Sequence, residues 1–160
     1  MGLISNGTTI FDAGSISAGL GGSMNFIKKL TASSSANLSF VDGASSVVLD
    51  NSYKEYMFTF NNIHPATDQT SLLFQANAAG GSGYDETITS SGWQVQHSES
   101  GSSELSYETG SDQAQGTAFQ KISHEIGNGN DEASSGYLYI FNPSNTTFVT
   151  HYISRFNAYR

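Results

Sequence analysis

Four histidines, His64, His97, His124 and His151, are the residues of this sequence best suited to hold a metal or carry a proton, and none lies at short ligand spacing from another. A metal centre would therefore need imidazoles gathered from distant strands, since ligands on one element sit a few residues apart. His64, just before Pro65, reads as a turn histidine bonded to backbone, and His151, alternating with Val149 and Ile153, faces the core or a sheet edge. Asn128-Gly129-Asn130-Asp131-Glu132 collects the oxygens that calcium prefers, but not at the alternate positions of a helix–loop–helix calcium site. An ordinary solvated turn has the same composition. No metal ligand and no cofactor is assigned.

Covalent and acid–base chemistry find no better footing. Glycoside hydrolysis needs two carboxylates facing each other across a cleft. A chain with 14 Asp and Glu supplies such names as Asp68, Asp85, Glu99 and Glu108 without singling out a pair. No Gly-X-Ser-X-Gly elbow is present, and Gly19-Leu20-Gly21-Gly22 lacks the lysine and helix of a phosphate loop. The expectation is a protein that is not an enzyme, with no catalytic residue. The single Trp93 supports two readings. Its ring could stack on the apolar face of a sugar, with Tyr84, Tyr53 or Tyr56 in support, or it could fill the core opposite Val95, the usual fate of a large aromatic.

The chain that must position these groups has 160 residues, the size of one domain with one core. Hydrophobic residues are 37%, weighted toward ten Phe and eight Tyr, and charged residues only 12%. The remainder is rich in Ser, Thr, Asn and Gly, which suits short strands and turns better than helices. Net charge is −8, and Lys28-Lys29 is the only basic pair, so phosphate backbones and anionic membrane surfaces are both disfavoured as partners. With no cysteine, disulfides and thiolate metal sites are excluded. No apolar run is long enough for a spanning helix, and the N-terminus has no secretion pattern, so Asn37-Leu38-Ser39 and Asn145-Thr146-Thr147 are read as chance glycosylation matches.

Residues 1–23 are rich in Gly and Ser, with apolar pairs at Leu3-Ile4 and Ile10-Phe11, and read as an arm laid on its own domain or a neighbour, or as a loose terminus. Residues 24–160 read as a β-domain. Period-two alternation predicts strands around Met24–Leu30, Leu38–Phe40, Val47–Leu49, Tyr53–Ile63, Leu72–Ala76, Thr87–His97, Leu105–Tyr107, Phe119–Ile126, Gly136–Phe141 and Thr147–Arg155. Gly136–Phe141 is apolar on both faces and should be a central strand. Asp42-Gly43, Gly80-Gly81, Gly127-Asn128 and Asn142-Pro143 mark turns. The pattern predicts an all-β chain, an antiparallel two-sheet β-sandwich of jelly-roll or Greek-key type, with a closed barrel as the lesser alternative.

Several phrases of the sequence carry a resemblance. Gly2-Leu3-Ile4-Ser5-Asn6-Gly7, Phe26-Ile27-Lys28-Lys29-Leu30, Leu38-Ser39-Phe40-Val41-Asp42-Gly43, Tyr53-Lys54-Glu55-Tyr56, Asn62-Ile63-His64-Pro65, Gln113-Ala114-Gln115-Gly116-Thr117, Ile126-Gly127-Asn128-Gly129 and Phe141-Asn142-Pro143-Ser144 resemble, in order, a family of structural proteins of marine tailed phages, cyanophages among them. The resemblance covers nearly the whole chain, and its phrases are structural rather than catalytic. It implies a virion component made in the host cytoplasm: a head fibre, a decoration or cement protein, or a tail-fibre domain, bound to other capsid or tail proteins. It also implies a homo-oligomer, a trimer if fibrous. Leu3, Ile4, Ile10 and Phe11 are then the candidate attachment contacts, and Trp93 the candidate platform if the protein instead recognises host surface glycans. Family members continue past Ser154-Arg155-Phe156 into further strands. The sandwich is thus expected to be incomplete at its C-terminal edge, completed by a longer chain or by a strand from a neighbouring subunit.

Overall fold

The computed structural model describes residues 3–5, 8–12, 15–16 and 24–159, the first three stretches as backbone only. The chain is all-β. No helix occurs among the described residues, and every strand pairing is antiparallel. Two compact units are present, one of residues 1–31 with 37–48, the other of residues 32–36 with 49–160.

In the first unit, β1 (Leu3–Ser5), β2 (Thr8–Asp12) and β3 (Ser15–Ile16) form a small sheet in that order. Leu3 pairs with Phe11 and Ile4 with Thr9, across an irregularity between Leu3 and Ile4. The four candidate attachment residues therefore lie on two adjacent strands, while their side chains fall outside the described residues. The strands predicted at Met24–Leu30, Leu38–Phe40 and Val47–Leu49 are not formed. Alternation marks a strand reliably only where one face is also covered, and in the first of these runs Phe26 is 84% exposed. Asp42-Gly43 does turn the chain, with Ala44 N–H donating to Val41 O at 3.0 Å and Gly43 at φ 74°. A second tight turn follows at once through Ser45 and Ser46, both at positive φ, closed by Val47 N–H to Ala44 O at 3.0 Å. Two central residues at positive φ make the kind of turn that commonly opens a hairpin, yet no strand follows at Val47.

The second unit is organised by a sheet in the order β12-β11-β4, comprising β4 (Glu55–Ile63), β11 (Ser134–Phe141) and β12 (His151–Ala158). β11 is central, as its two apolar faces predict. On the inner face, Tyr56, Ile140 and Tyr152 stand in one row, Phe58, Leu138 and Ser154 in the next, and Phe60, Gly136 and Phe156 in the third. Leu138 and Tyr56 are buried, and the Tyr56 hydroxyl donates to Asp50 O at 2.8 Å. Gly136 has a specific reason to be glycine. The rings of Phe60 and Phe156 meet over it with centroids 5.2 Å apart, and an added Cβ would lie 2.6 Å from the Phe156 ring.

Near its end β4 carries a bulge, where Asn61 and Asn62 together oppose Ser135. Asn62 takes φ 51°, tolerable for asparagine, and its N–H donates to the Ser135 hydroxyl at 3.0 Å. The last strand starts later than predicted, at His151 instead of Thr147. The Asn145 carboxamide explains the delay, since its Oδ1 accepts from Thr147 N at 2.7 Å and Phe148 N at 2.8 Å and so prolongs the turn.

Short pairs complete the unit: β5 (Leu73–Phe74) with β10 (Gln120–Lys121), β6 (Ile88–Ser90) with β9 (Gln113–Gly116), and β7 (Trp93–His97) with β8 (Ser103–Tyr107). The stretch after Gln120 is shorter than its pattern predicts, because Ile122 and Ser123 both turn their N–H to Leu72 O. Only an isolated bridge, Thr70 to Ile126, resumes the pairing. The interior here is polar. Buried Gln120 donates to Ser111 O at 2.6 Å and Lys121 O at 2.8 Å while accepting from the Ser90 hydroxyl at 2.6 Å. Buried Gln75 donates to the carbonyls of Glu86, Thr117 and Ala118. These glutamines take over hydrogen bonds that such short ladders leave open.

Candidate interaction surface

The β7–β8 hairpin is inside out relative to an ordinary half-buried ribbon. Its turn is closed by Ser98 N–H to Ser102 O at 2.8 Å and Gly101 N–H to Ser98 O at 2.9 Å, with Gly101 at φ 88°. That turn fixes a register in which Trp93 faces Tyr107 and Val95 faces Leu105. These four share one face, because alternate residues of a strand point the same way. They are exposed: Trp93 by 71%, Val95 by 79%, Leu105 by 70% and Tyr107 by 42%. On the other face Gln94 and Ser106 are half-buried, and Gln96 donates to Glu104 at 3.0 Å. A sheet with one wet side normally shows polar residues to water. Here the apolar set looks outward, and contiguous apolar area rimmed by polar groups marks a place of contact.

The core reading of Trp93 is thereby corrected: its ring does not fill the interior opposite Val95, because both residues are on the outer face. The Trp93 and Tyr107 rings meet edge to face, centroids 5.3 Å apart at 83°. The Tyr107 hydroxyl donates to Asp112 Oδ2 at 2.7 Å, and this bond to a carboxylate raises the phenol's pKa above its ordinary value. Tyr107 is thus anchored, and Trp93 leans on it. The alternation of Leu105 and Tyr107 was visible in the sequence, but nothing in it said which face would be covered.

The other residues singled out by their chemistry go to separate places. His64 Nδ1 lies 2.7 Å from Glu132 O, and His151 opens the edge strand β12. His124 Nε2 is 3.8 Å from Glu108 Oε2. Asp68 accepts from Gln69 N at 3.0 Å and Asn128 N at 3.3 Å, and Glu99 accepts from the Tyr159 hydroxyl at 2.7 Å. In the 128–132 loop, Glu132 turns back onto Gly129 N–H and closes a turn. Among the described residues no group of three or more His, Asp or Glu is arranged to hold a metal.

Two open hollows mark the ends of the outer face of the β4-β11-β12 sheet. The larger, about 540 Å³, is walled by Phe141, Phe148, Val149 and His151. The smaller, about 370 Å³, is walled by Met57, Tyr137, Arg155 and Asn157. No carboxylate lines either one. Between them runs a stripe of Tyr137, Tyr139 and Phe141 rings, with neighbouring centroids 5.2 and 6.3 Å apart. Comparison with protein families, curated proteins and solved structures finds no match to this chain.

Proposed function

We propose that the chain is a non-enzymatic structural protein on the outside of a tailed phage particle, acting as a head fibre, a decoration or cement protein, or a tail-fibre domain. The sequence phrases that resemble such proteins support the reading, and one structural observation carries it: the outward apolar face of Trp93, Val95, Leu105 and Tyr107. Each such side chain, once fully buried against a neighbouring virion protein, contributes roughly 1.5–3 kcal/mol. A net charge of −8 keeps such a surface soluble before assembly. Leu3, Ile4, Ile10 and Phe11 would add contacts from the N-terminal strands. The fold that suits this role is a two-sheet sandwich. Its second layer is supported by Phe74 of β5, whose ring lies 5.9 Å from that of Tyr152 on the inner face of the three-stranded sheet.

The test is incorporation into particles. A Trp93→Ser, Val95→Ser double variant should fold normally and be depleted from purified particles, and so should a chain lacking residues 1–23. Full incorporation of both variants would overturn the reading.

A second reading, recognition of host surface glycans, is favoured by the exposed Trp93 indole. A sugar would stack on that single ring face, since Tyr107 stands perpendicular to it and Val95 and Leu105 flank it with aliphatic groups. Glycan-array binding abolished by Trp93→Ala supports this reading, and binding that survives the change refutes Trp93 as the platform.

A further inference from the structure

We propose that β12 is a self-pairing edge, through which two copies of the chain join their three-stranded sheets across a twofold axis. The proposal is independent of where the protein resides. Among the described residues β12 has β11 on one side and no strand on the other. It pairs with β11 residue for residue from His151 to Ala158 without a shift. Natural edges are protected by bulges, prolines or inward charges. The opposite edge, β4, has such protection in its Asn61–Asn62 bulge. β12 has neither bulge nor proline, and its inward residues Tyr152, Ser154 and Phe156 are uncharged; its one charged side chain, Arg155, alternates with them on the other face.

The backbone of β12 also shows which peptide groups are free. The Asn157 carbonyl accepts from the Ser134 hydroxyl at 3.0 Å, Tyr159 N–H donates to Ala133 O at 3.2 Å, and the Arg155 carbonyl presses against Gly136. Odd-numbered residues thus turn toward β11. In an antiparallel strand the alternate residues turn the other way, so Tyr152, Ser154 and Phe156 present N–H and C=O to the open side.

A twofold axis normal to the sheet pairs residues of the same face, and the side chains select the register. With Ser154 opposite its own copy, Tyr152 falls opposite Phe156, and Ile153 opposite Arg155. Moving the axis to Arg155 would set guanidinium against guanidinium, and like charges directly opposite are unfavourable. The Ser154-centred register has no such conflict. It gives three opposed residue pairs whose N–H and C=O groups bond reciprocally, with aromatic pairs on either side of the axis. The product is a six-stranded sheet from two three-stranded ones, within the usual size of about 4–6 strands.

Three measurements on the full chain decide the matter. Sedimentation should show a dimer that dissociates on dilution. Ser154→Pro removes only an N–H on the open side, a position where an edge strand tolerates proline, and should give a folded monomer. Because the chain has no cysteine, Ser154→Cys should form a disulfide-linked dimer under mild oxidation, since opposed Cα atoms in such a pair lie about 5.5 Å apart. Thr59→Cys, on the β4 edge, should not. A native chain that stays monomeric at high micromolar concentration, or forms a trimer, overturns the proposal, as does Ser154→Cys that fails to cross-link. If Ser154→Pro does not fold, the cross-linking result alone decides.

Discussion

Replacing Gly136 with alanine pits two opposing effects of known size against each other. Outside the left-handed region of φ, Gly→Ala restricts the unfolded chain and should stabilise by about 0.4–1 kcal/mol. At this position the new methyl would sit 2.6 Å from the Phe156 ring and closer still to the Arg155 carbonyl oxygen. The ring could rotate away. The carbonyl cannot, because β12 is held to β11 over eight consecutive pairs. Overpacking of this kind costs about 1–3 kcal/mol, so the penalty wins and the variant should lose about 1–2 kcal/mol. For a chain of this length that corresponds to a fall in Tm of about 2–8 °C, measured by circular dichroism and by urea titration. In a Phe156→Ala background the ring is absent and only the carbonyl conflict remains, so the penalty should shrink without vanishing, a coupling of at least about 0.5 kcal/mol. A Gly136→Ala variant with unchanged or raised Tm would refute the close approach of the two phenylalanines over this residue.

Two further predictions concern the polar interior. Tyr152 has a buried hydroxyl with no completed hydrogen bond, with Ser90 beside it, and burial raises its pKa above 10.0. Tyr152→Phe should therefore be neutral or stabilising by up to about 1 kcal/mol in urea titration at neutral pH. The stability that depends on the protonated phenol is complete below pH 10.0 and is lost as pH rises through its raised folded value, so the variant should unfold less steeply in alkali; an identical alkaline profile would count against this placement. Gln120→Leu should strand the carbonyls of Ser111 and Lys121 and the Ser90 hydroxyl. Left unsatisfied, these should cost about 2–4 kcal/mol, read in the same titration, and a loss under 1 kcal/mol would show the network to be wet.

The sequence carries this fold unevenly, for physical reasons. β4 and β11 were legible because aromatic alternation and burial coincide there, as Tyr56, Phe58 and Leu138 show. Around Met24–Leu30 alternation and burial do not coincide, since Met24 and Phe26 are exposed, and periodicity alone cannot reveal that. The start of β12 was obscured by a side chain, Asn145, acting on backbone beyond its own turn. The interaction surface was obscured by a reversal of the usual rule. Trp93, Val95, Leu105 and Tyr107 form a face that the pattern marks as apolar, and apolar faces are ordinarily read as covered. The exposure of these four, with Gln94 and Ser106 half-buried behind them, shows which way the hairpin is turned.

The most direct test of the account is high-resolution electron cryomicroscopy of purified phage particles carrying this chain. The account predicts ordered density for it on the particle exterior, with Trp93, Val95, Leu105 and Tyr107 buried against a neighbouring protein. Particles that lack the chain, or that carry it with this hairpin face bare to solvent, would contradict it.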